Sequence, residues 1–160
     1  MSLKVVVGSR SRSRSKEAME ILEKNGYILE LNPFDRTMTE DELIERIKGA
    51  SALVAGSDKV TKRVLEAGSP TLKIVAKQGV GYNTIDIEAA KELGIAVTIT
   101  PGANSKSVAD LTMGLILNAA RNISGMDRAI RNNEWYRYTG CELNNKIIGI
   151  VGMGHIGGEV

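Results

Sequence analysis

The fold is decided by residues 53–99, LVAGSDKVTKRVLEAGSPTLKIVAKQGVGYNTIDIEAAKELGIAVTI. Short runs of aliphatic and β-branched residues alternate here with segments that have the apolar spacing of a helix. The predicted strands and helices occupy, in order, 53–55, 61–67, 72–76, 86–93 and 95–99. Strands that alternate with helices are joined by right-handed crossovers and pair in parallel. This stretch therefore predicts part of a parallel sheet covered by helices.

The same alternation extends toward the N-terminus. A β-branched run at 5–7 predicts a buried strand. Ser15 is a candidate N-cap for the helix that follows, and Thr39 with Glu42 forms the pattern of a capping box at the start of another. A further strand falls at 27–31, between these helices. An α/β domain with five parallel strands is therefore predicted in the first 100 residues.

Polar, basic and glycine residues follow the predicted strands. Ligands of a parallel sheet bind at the carboxyl ends of its strands. The segments at these ends are 8–14, 56–58, 77–83 and 100–104. We therefore expect the functional surface at this edge of the sheet.

The pattern changes after Pro101, and we expect two domains, 1–100 and 101–160. A long helix with an apolar stripe at 108–120 opens the second domain. An apolar run at 147–151 predicts one more strand, and a polar stretch lies between the two.

The composition, 42% hydrophobic and 25% charged, is that of a globular protein rather than a disordered one. The single cysteine, Cys141, cannot form an intramolecular disulfide. No apolar run approaches the roughly 18 residues needed to cross a bilayer, and no targeting segment is recognisable. We expect a cytoplasmic protein without a membrane span.

Positive charge is concentrated in the first loop, where serine and basic residues alternate at 9–16. Three interpretations are open: a solvated loop, a nucleic-acid site with salt-sensitive affinity, or a cationic rim for an anionic substrate. Nucleic acid is disfavoured because no aromatic residue lies nearby to stack on bases. In the third interpretation, Arg10 and Arg12 contact a substrate phosphate.

The segment GMGHIG at 152–157 fits the pattern G-x-G-x-x-G directly after the predicted strand at 147–151. Its first glycine would permit a tight turn, the second the approach of a pyrophosphate and the third close packing. The alternative is a glycine-rich turn without a ligand. The acidic residue that binds the adenosine ribose lies about 20 residues after such a loop. We therefore expect the nucleotide domain to be truncated.

Four motifs occur in a characteristic order between residues 77 and 157. They are KQGVGYNTID at 77–86, GIAVT at 94–98, TPGANSKSVADL at 100–111 and GIVGMGHIG at 149–157. In this order they resemble the NAD-dependent D-isomer 2-hydroxyacid dehydrogenases, and the phosphoglycerate dehydrogenase-like branch in particular.

The resemblance implies a flavodoxin-like parallel-sheet substrate domain at 1–100 that lacks its C-terminal return segment. It implies a linker helix and the first strand and glycine loop of a Rossmann domain at 101–160. The activity implied is hydride transfer between NAD and a small 2-hydroxy or 2-oxo acid, with 3-phosphoglycerate, a substrate of serine biosynthesis, as the first expectation. NADP is the alternative cofactor.

The resemblance also implies roles for individual residues. Val80 and Gly81 would receive the substrate carboxylate, and Asn104 would line the substrate pocket. Cofactor contacts would come from Val108, Gly152, Gly154, His155, Ile156 and Gly157. The family's catalytic arginine, glutamate and histidine lie later in its fold, so no residue here is expected to be catalytic, and no metal is expected.

The apolar helix at 108–120 also predicts a homodimer, because its stripe is expected to be exposed. Two interpretations of the whole chain remain. It is the front half of such an oxidoreductase, or a non-catalytic fragment or split-gene product that binds an anion or a partner protein. The 160 residues alone are expected to be inactive in both.

Overall fold

The computed structural model describes residues 3–10 and 15–160. Arg12 lies outside the described residues. The chain divides into two compact units, Met1–Pro101 and Gly102–Val160.

The first unit alternates strands and helices along the chain. They are β1 (Lys4–Val7), α1 (Lys16–Lys24), β2 (Ile28–Leu31), α2 (Glu40–Ile47), β3 (Ala52–Ala55), α3 (Lys62–Gly68), β4 (Ile74–Lys77), α4 (Ile87–Glu92) and β5 (Ala96–Thr98). All strand pairs are parallel, and the strand order is β2-β1-β3-β4-β5. This is the flavodoxin-like order. The predicted fold class is therefore confirmed.

The two helix caps predicted from the sequence, at Ser15 and Thr39, are also confirmed. The Ser15 side chain accepts the N–H of Ala18 at 3.2 Å. Thr39 and Glu42 form a reciprocal capping box at the start of α2. Both caps satisfy N–H groups that the first turn of a helix leaves unbonded.

The direction of the crossovers places the helices on two faces of the sheet. The chain moves from β1 to β2 toward one edge, then from β2 past β1 to β3, β4 and β5 toward the other. With right-handed crossovers, α1 falls on one face, and α2, α3 and α4 fall on the opposite face. The main core lies on the side of these three helices, where Val6, Leu53 and Val75 pack against them.

The face toward α1 is less completely covered. Val54, Ile74 and Ala76 are only half-buried, and Ala96 is exposed. Helix α1 itself has no buried residue. Parallel sheets are normally covered on both faces, so this side of the first unit has room for a further element.

The second unit contains the predicted long helix, α5 (Ser105–Arg121), and a helix that the sequence reading missed, α6 (Ile123–Arg131). Asn122, in the left-handed conformation with φ 51°, separates them. Helix α6 lies in the stretch that was expected to be polar and irregular. Its apolar residues recur at helical spacing, with Ala129 buried.

The predicted strand at 147–151 is not formed, and this prediction was wrong for the described residues. Ile147 and Val151 are 98% and 104% exposed. The physical reason is that a strand requires a neighbour for its backbone hydrogen bonds, and the described part of the second unit holds no strand beside it.

In the described residues, every helix is too short or too polar to cross a membrane.

Candidate functional site

The carboxyl edge of the sheet is held together by polar contacts between successive loops. Asn32, directly after β2, is 1% exposed. Its Nδ2 donates to the carbonyl oxygens of Gly8 and Arg36, each at 2.9 Å. Its Oδ1 accepts the N–H of Phe34 at 2.9 Å. One buried amide therefore connects the loop after β1 with the loop after β2.

Asp58 connects three loops at the centre of this edge and is 1% exposed. Its Oδ1 accepts the N–H of Met38 at 3.1 Å, and its Oδ2 accepts the N–H of Gly56 at 3.2 Å. A Cβ on Gly8 would lie 2.3 Å from Oδ2. Only glycine therefore fits at position 8 with this carboxylate in place.

The ionisation of Asp58 reflects this enclosure. Burial raises the pKa of Asp58 above its ordinary value, while the backbone N–H groups and the charge of Lys77 act in the opposite direction. Lys77, at the end of β4, donates from its ammonium to the carbonyl of Gly56. Gly56, in the turn after β3, is therefore hydrogen-bonded through its N–H to Asp58 and through its carbonyl to Lys77.

The loop after β4 is fixed by a different residue. The N–H of Gly79 donates to the hydroxyl of Thr100 at 3.0 Å, and the N–H of Thr100 donates to the carbonyl of Gly79 at 2.9 Å. Gly79 has φ 130°, which favours glycine. Val80 and Gly81 follow this anchor and are exposed.

A cleft of about 220 Å³ brings the first loop together with the ends of β4 and β5. Its polar lining consists of Ser9, Ser15, Lys77, Gln78 and Thr100. The lining does not include Arg10, Val80 or Gly81. Arg10 directly follows the lining residue Ser9, and Val80 and Gly81 lie two and three residues after the lining residue Gln78.

Sequence reasoning located this edge but did not identify the polar residues that hold it. Asn32, Asp58, Lys77 and Thr100 were not singled out as site residues. The available signal was their position, because each is a polar residue at or just after the carboxyl end of a strand.

In the second unit, the glycine loop has the turn that its pattern predicts. Gly152 has φ 100°, and a Cβ on Gly157 would lie 2.0 Å from the carbonyl oxygen of Gly152. Nothing lies within 4 Å of a Cβ built on Gly154. The first and third glycines are thus required by the backbone, and the second faces open space.

Helical hydrogen bonds begin in this loop, from Gly158 N–H to Gly154 at 3.0 Å and from Val160 N–H to Ile156 at 3.1 Å. The N–H groups of His155 and Ile156 have no acceptor among the residues that the structure describes. Unbonded N–H groups at the start of a helix bind anions. This turn therefore presents two adjacent backbone N–H groups without a protein acceptor among the described residues.

Helix α5 borders the same loop. Thr112 and Ile116 line a groove of about 420 Å³ with Ile150, Gly152 and Ile156. Val108 is half-buried one turn earlier, and its carbonyl accepts the Thr112 hydroxyl at 2.8 Å. Since residues four apart share a helix face, Val108 lies on the side toward this groove. Asn104 is exposed at the N-cap and makes no side-chain cap bond.

Comparison with known proteins gives consistent matches along the chain. The sequence profile described as "D-isomer specific 2-hydroxyacid dehydrogenase, catalytic domain" matches residues 5–152. The D-3-phosphoglycerate dehydrogenase of Methanocaldococcus jannaschii is 43% identical over 148 residues, covering 91% of this chain and 27% of that protein. The hydroxypyruvate reductase of Thermotoga maritima is 40% identical over 148 residues, covering 91% of this chain and 47% of that protein.

A solved structure is similar to the chain in fold as well as in sequence. The cofactor (NAD+) bound 3-phosphoglycerate dehydrogenase of Entamoeba histolytica superposes with a TM-score of 0.77 at 33% identity, over 99% of this chain and 49% of that one. The chain spans less than half the length of each of these three proteins.

Two glycine substitutions test the geometry of the carboxyl edge. Gly8→Ala should lower the free energy of unfolding by about 1–3 kcal/mol, because its methyl group would overlap the Asp58 carboxylate. Gly81→Ala should change it by less than about 0.5 kcal/mol, because the nearest atom, Asn83 Oδ1, is at an ordinary 3.5 Å. Urea unfolding of the two variants measures both. Equal stability of the two would contradict the close approach at Gly8.

Proposed function

Because the chain belongs to the D-isomer specific 2-hydroxyacid dehydrogenase family, we propose that its full-length protein transfers a hydride between NAD and a small 2-hydroxy or 2-oxo acid. The phosphorylated acid 3-phosphoglycerate is the proposed substrate. The observation that carries this proposal is the cleft at the carboxyl edge, where Ser9 and Ser15 lie together with the ends of β4 and β5. The NAD-bound relative from Entamoeba histolytica supports NAD as the cofactor.

We assign residues 1–100 to the substrate domain and residues 101–160 to the linker helix and the start of the nucleotide domain. In the full-length protein, a later segment would return to the first domain. The incompletely covered sheet face, where Val54, Ile74 and Ala76 are half-buried, supports such a segment. The greater length of the relatives is consistent with it.

The backbone N–H groups of Val80 and Gly81 are proposed to hold the substrate carboxylate. Among the described residues these N–H groups have no acceptor, and Thr100 holds the preceding residue, Gly79, in place. Arg10 is exposed at the same edge and, with Arg12, is proposed to bind the phosphate. A substrate with an anion at each end would be oriented by these two anchors.

NAD, when bound, supplies the group that accepts or donates the hydride. The N–H groups of His155 and Ile156 are proposed to bind its pyrophosphate, at the turn that begins at Gly152. Val108 would face the nicotinamide from α5, and Asn104 would line the substrate pocket.

The reacting acid and base groups are proposed to lie outside these 160 residues. The single histidine, His155, is exposed within the glycine loop, where its backbone rather than its imidazole has the proposed role. A polypeptide limited to these residues is then expected to bind ligands without turning them over.

We also propose that α5 contributes to a homodimer. Leu111 and Leu115, one turn apart on the same face, are 61% and 57% exposed. That face differs from the one on which Thr112 and Ile116 border the glycine loop. A second copy of the chain would cover this stripe, since an exposed apolar stripe favours self-association.

The cofactor role of the glycine loop can be tested by substitution at Gly154. In the full-length protein, Gly154→Ala should raise the dissociation constant of NAD by about tenfold or more, because a methyl group would occupy the space of the pyrophosphate. Isothermal titration calorimetry measures the affinity. The thermal unfolding midpoint should not change, because nothing lies within 4 Å of the added Cβ.

Gly81→Ala is the matched control, because it makes the same change in the other unit and should leave NAD affinity unaltered. Unchanged NAD affinity in Gly154→Ala would argue against a pyrophosphate at this turn.

The phosphate role of the first loop can be tested in the full-length protein by replacing Arg10 and Arg12 with alanine. The KM for 3-phosphoglycerate should rise at least about tenfold, because charge-assisted hydrogen bonds contribute roughly 1.5–3 kcal/mol each. The KM for an unphosphorylated 2-hydroxy acid should stay nearly constant. Steady-state kinetics with both substrates provides the comparison.

Lys24→Ala, which removes a positive charge at the opposite end of α1, is the control. Equal losses for both substrates would reject the phosphate role. Salt-sensitive RNA binding that disappears in the same variant would favour a nucleic-acid site instead.

Assembly through α5 can be tested by charge introduction. Leu111→Glu combined with Leu115→Glu should convert a dimer of the full-length protein to a monomer in sedimentation velocity, because buried carboxylates would lack partners. Lys106→Glu, in the first turn of the same helix, should leave the dimer intact. A monomer for the unaltered protein at high concentration would disprove the proposed interface.

A further inference from the structure

Asp58 is a buried titratable residue that the proposed function does not use. It is 1% exposed, and the nearby Lys77, whose charge lowers the pKa of Asp58, donates to the carbonyl of Gly56 rather than to this carboxylate. Burying a carboxylate without an ion-pair partner is costly, and such groups concentrate at functional sites. Its hydrogen-bonding partners are backbone N–H groups of Met38 and Gly56.

Both oxygens of this carboxylate are used. Oδ1 accepts one N–H and Oδ2 accepts the other, so an amide at position 58 would have to turn an NH2 group toward one of two donors. Asparagine has nearly the same shape as aspartate but only one acceptor oxygen. The site is therefore specific for a carboxylate.

The first loop is seated against this group. The N–H of Gly8 donates to the carbonyl of Val54 at 2.9 Å, and its carbonyl accepts from Asn32 at 2.9 Å. Its Cα faces Oδ2 of Asp58 so closely that a Cβ would be excluded. A Cβ on Gly56 would lie 3.2 Å from the Cα of Ser9. The backbone leading to Arg10 is thus held from several sides.

Building on the phosphate role proposed for Arg10, we propose that Asp58 is a positioning residue for the substrate's phosphate. Its carboxylate accepts the N–H of Gly56 and packs against the Cα of Gly8, and thereby sets where Arg10 meets the anion. Asp58 does not touch the substrate.

The effect is confined to one end of the substrate. The loop that carries Val80 and Gly81 is anchored by Thr100 through Gly79, and this anchor shares no hydrogen bond with Asp58. Loss of the Asp58 carboxylate should therefore weaken recognition of the phosphate and leave recognition of the carboxylate intact.

The test uses the full-length protein with Asp58→Asn. The KM for a phosphorylated 2-hydroxy acid should rise about tenfold, with kcat within about twofold of the original value, because binding is impaired without a change in the reacting groups. The KM for an unphosphorylated 2-hydroxy acid should not change. Thr100→Val should instead raise the KM for both substrates.

Two comparisons separate positioning from loss of stability. Val64→Ala, in the buried core of α3, should destabilise the protein without altering either KM. The double variant Arg10→Ala and Asp58→Asn should have the same KM as Arg10→Ala alone, because Asp58 acts through Arg10. A KM of the double variant that equals the product of the two single-variant increases would overturn the proposal. Equal KM increases for both substrates in Asp58→Asn would also overturn it.

A substrate-independent measurement distinguishes this proposal from the proposed function. Hydrogen exchange of the Gly8 N–H should accelerate at least tenfold in Asp58→Asn, while that of the Thr100 N–H should not change. Unaltered exchange at Gly8 would overturn the positioning role even if Arg10 binds phosphate. Faster exchange at Gly8 together with an unchanged KM in Arg10→Ala would support the structural link and reject the phosphate role of Arg10.

Discussion

The close approach of Gly8 to the carboxylate of Asp58 is the contact on which the carboxyl edge depends. It requires a residue without Cβ at the end of β1 and a carboxylate oxygen at the end of β3, two strands that are adjacent in the sheet. Asp58 also accepts hydrogen bonds from the backbone N–H groups of Gly56 and Met38. Its carboxylate therefore contacts the loops after β1, β2 and β3. Close packing makes such an arrangement intolerant of even one added methyl group.

Much of the fold could be predicted from local sequence, because the first unit follows local rules. Caps such as Ser15 and the Thr39–Glu42 pair act within one turn, and alternating strands and helices imply a parallel sheet with few possible topologies. The prediction of a strand at 147–151 was wrong for a non-local reason, since the sequence pattern of a strand does not indicate whether another strand lies beside it. Helix α6 was missed because its flanks are polar and its apolar residues are few.

The candidate site was predictable only in outline. The glycine pattern at 152–157 fixes its own backbone through Gly152 and Gly157, so its geometry could be read from the sequence. The hydrogen bonds of Asn32, Asp58 and Thr100 could not be predicted, because each of these side chains bonds to a backbone group 20 to 24 residues away. Such pairings emerge only when the strands are placed side by side.

Separate anchoring of the loops after β1 and β4 bears on how substrate preference diverges in evolution. Asn32 and Asp58 hold the loop after β1, whereas Thr100 holds the loop after β4, and the two sets share no hydrogen bond. With the proposed roles of these loops, a lineage can replace the first loop, and with it the group proposed to bind there, without breaking the hydrogen bonds that anchor the loop proposed to bind the carboxylate. Relatives named for phosphoglycerate, hydroxypyruvate and glyoxylate share this chain's sequence pattern. A modular edge of this kind is a physical basis for new specificities on an unchanged sheet.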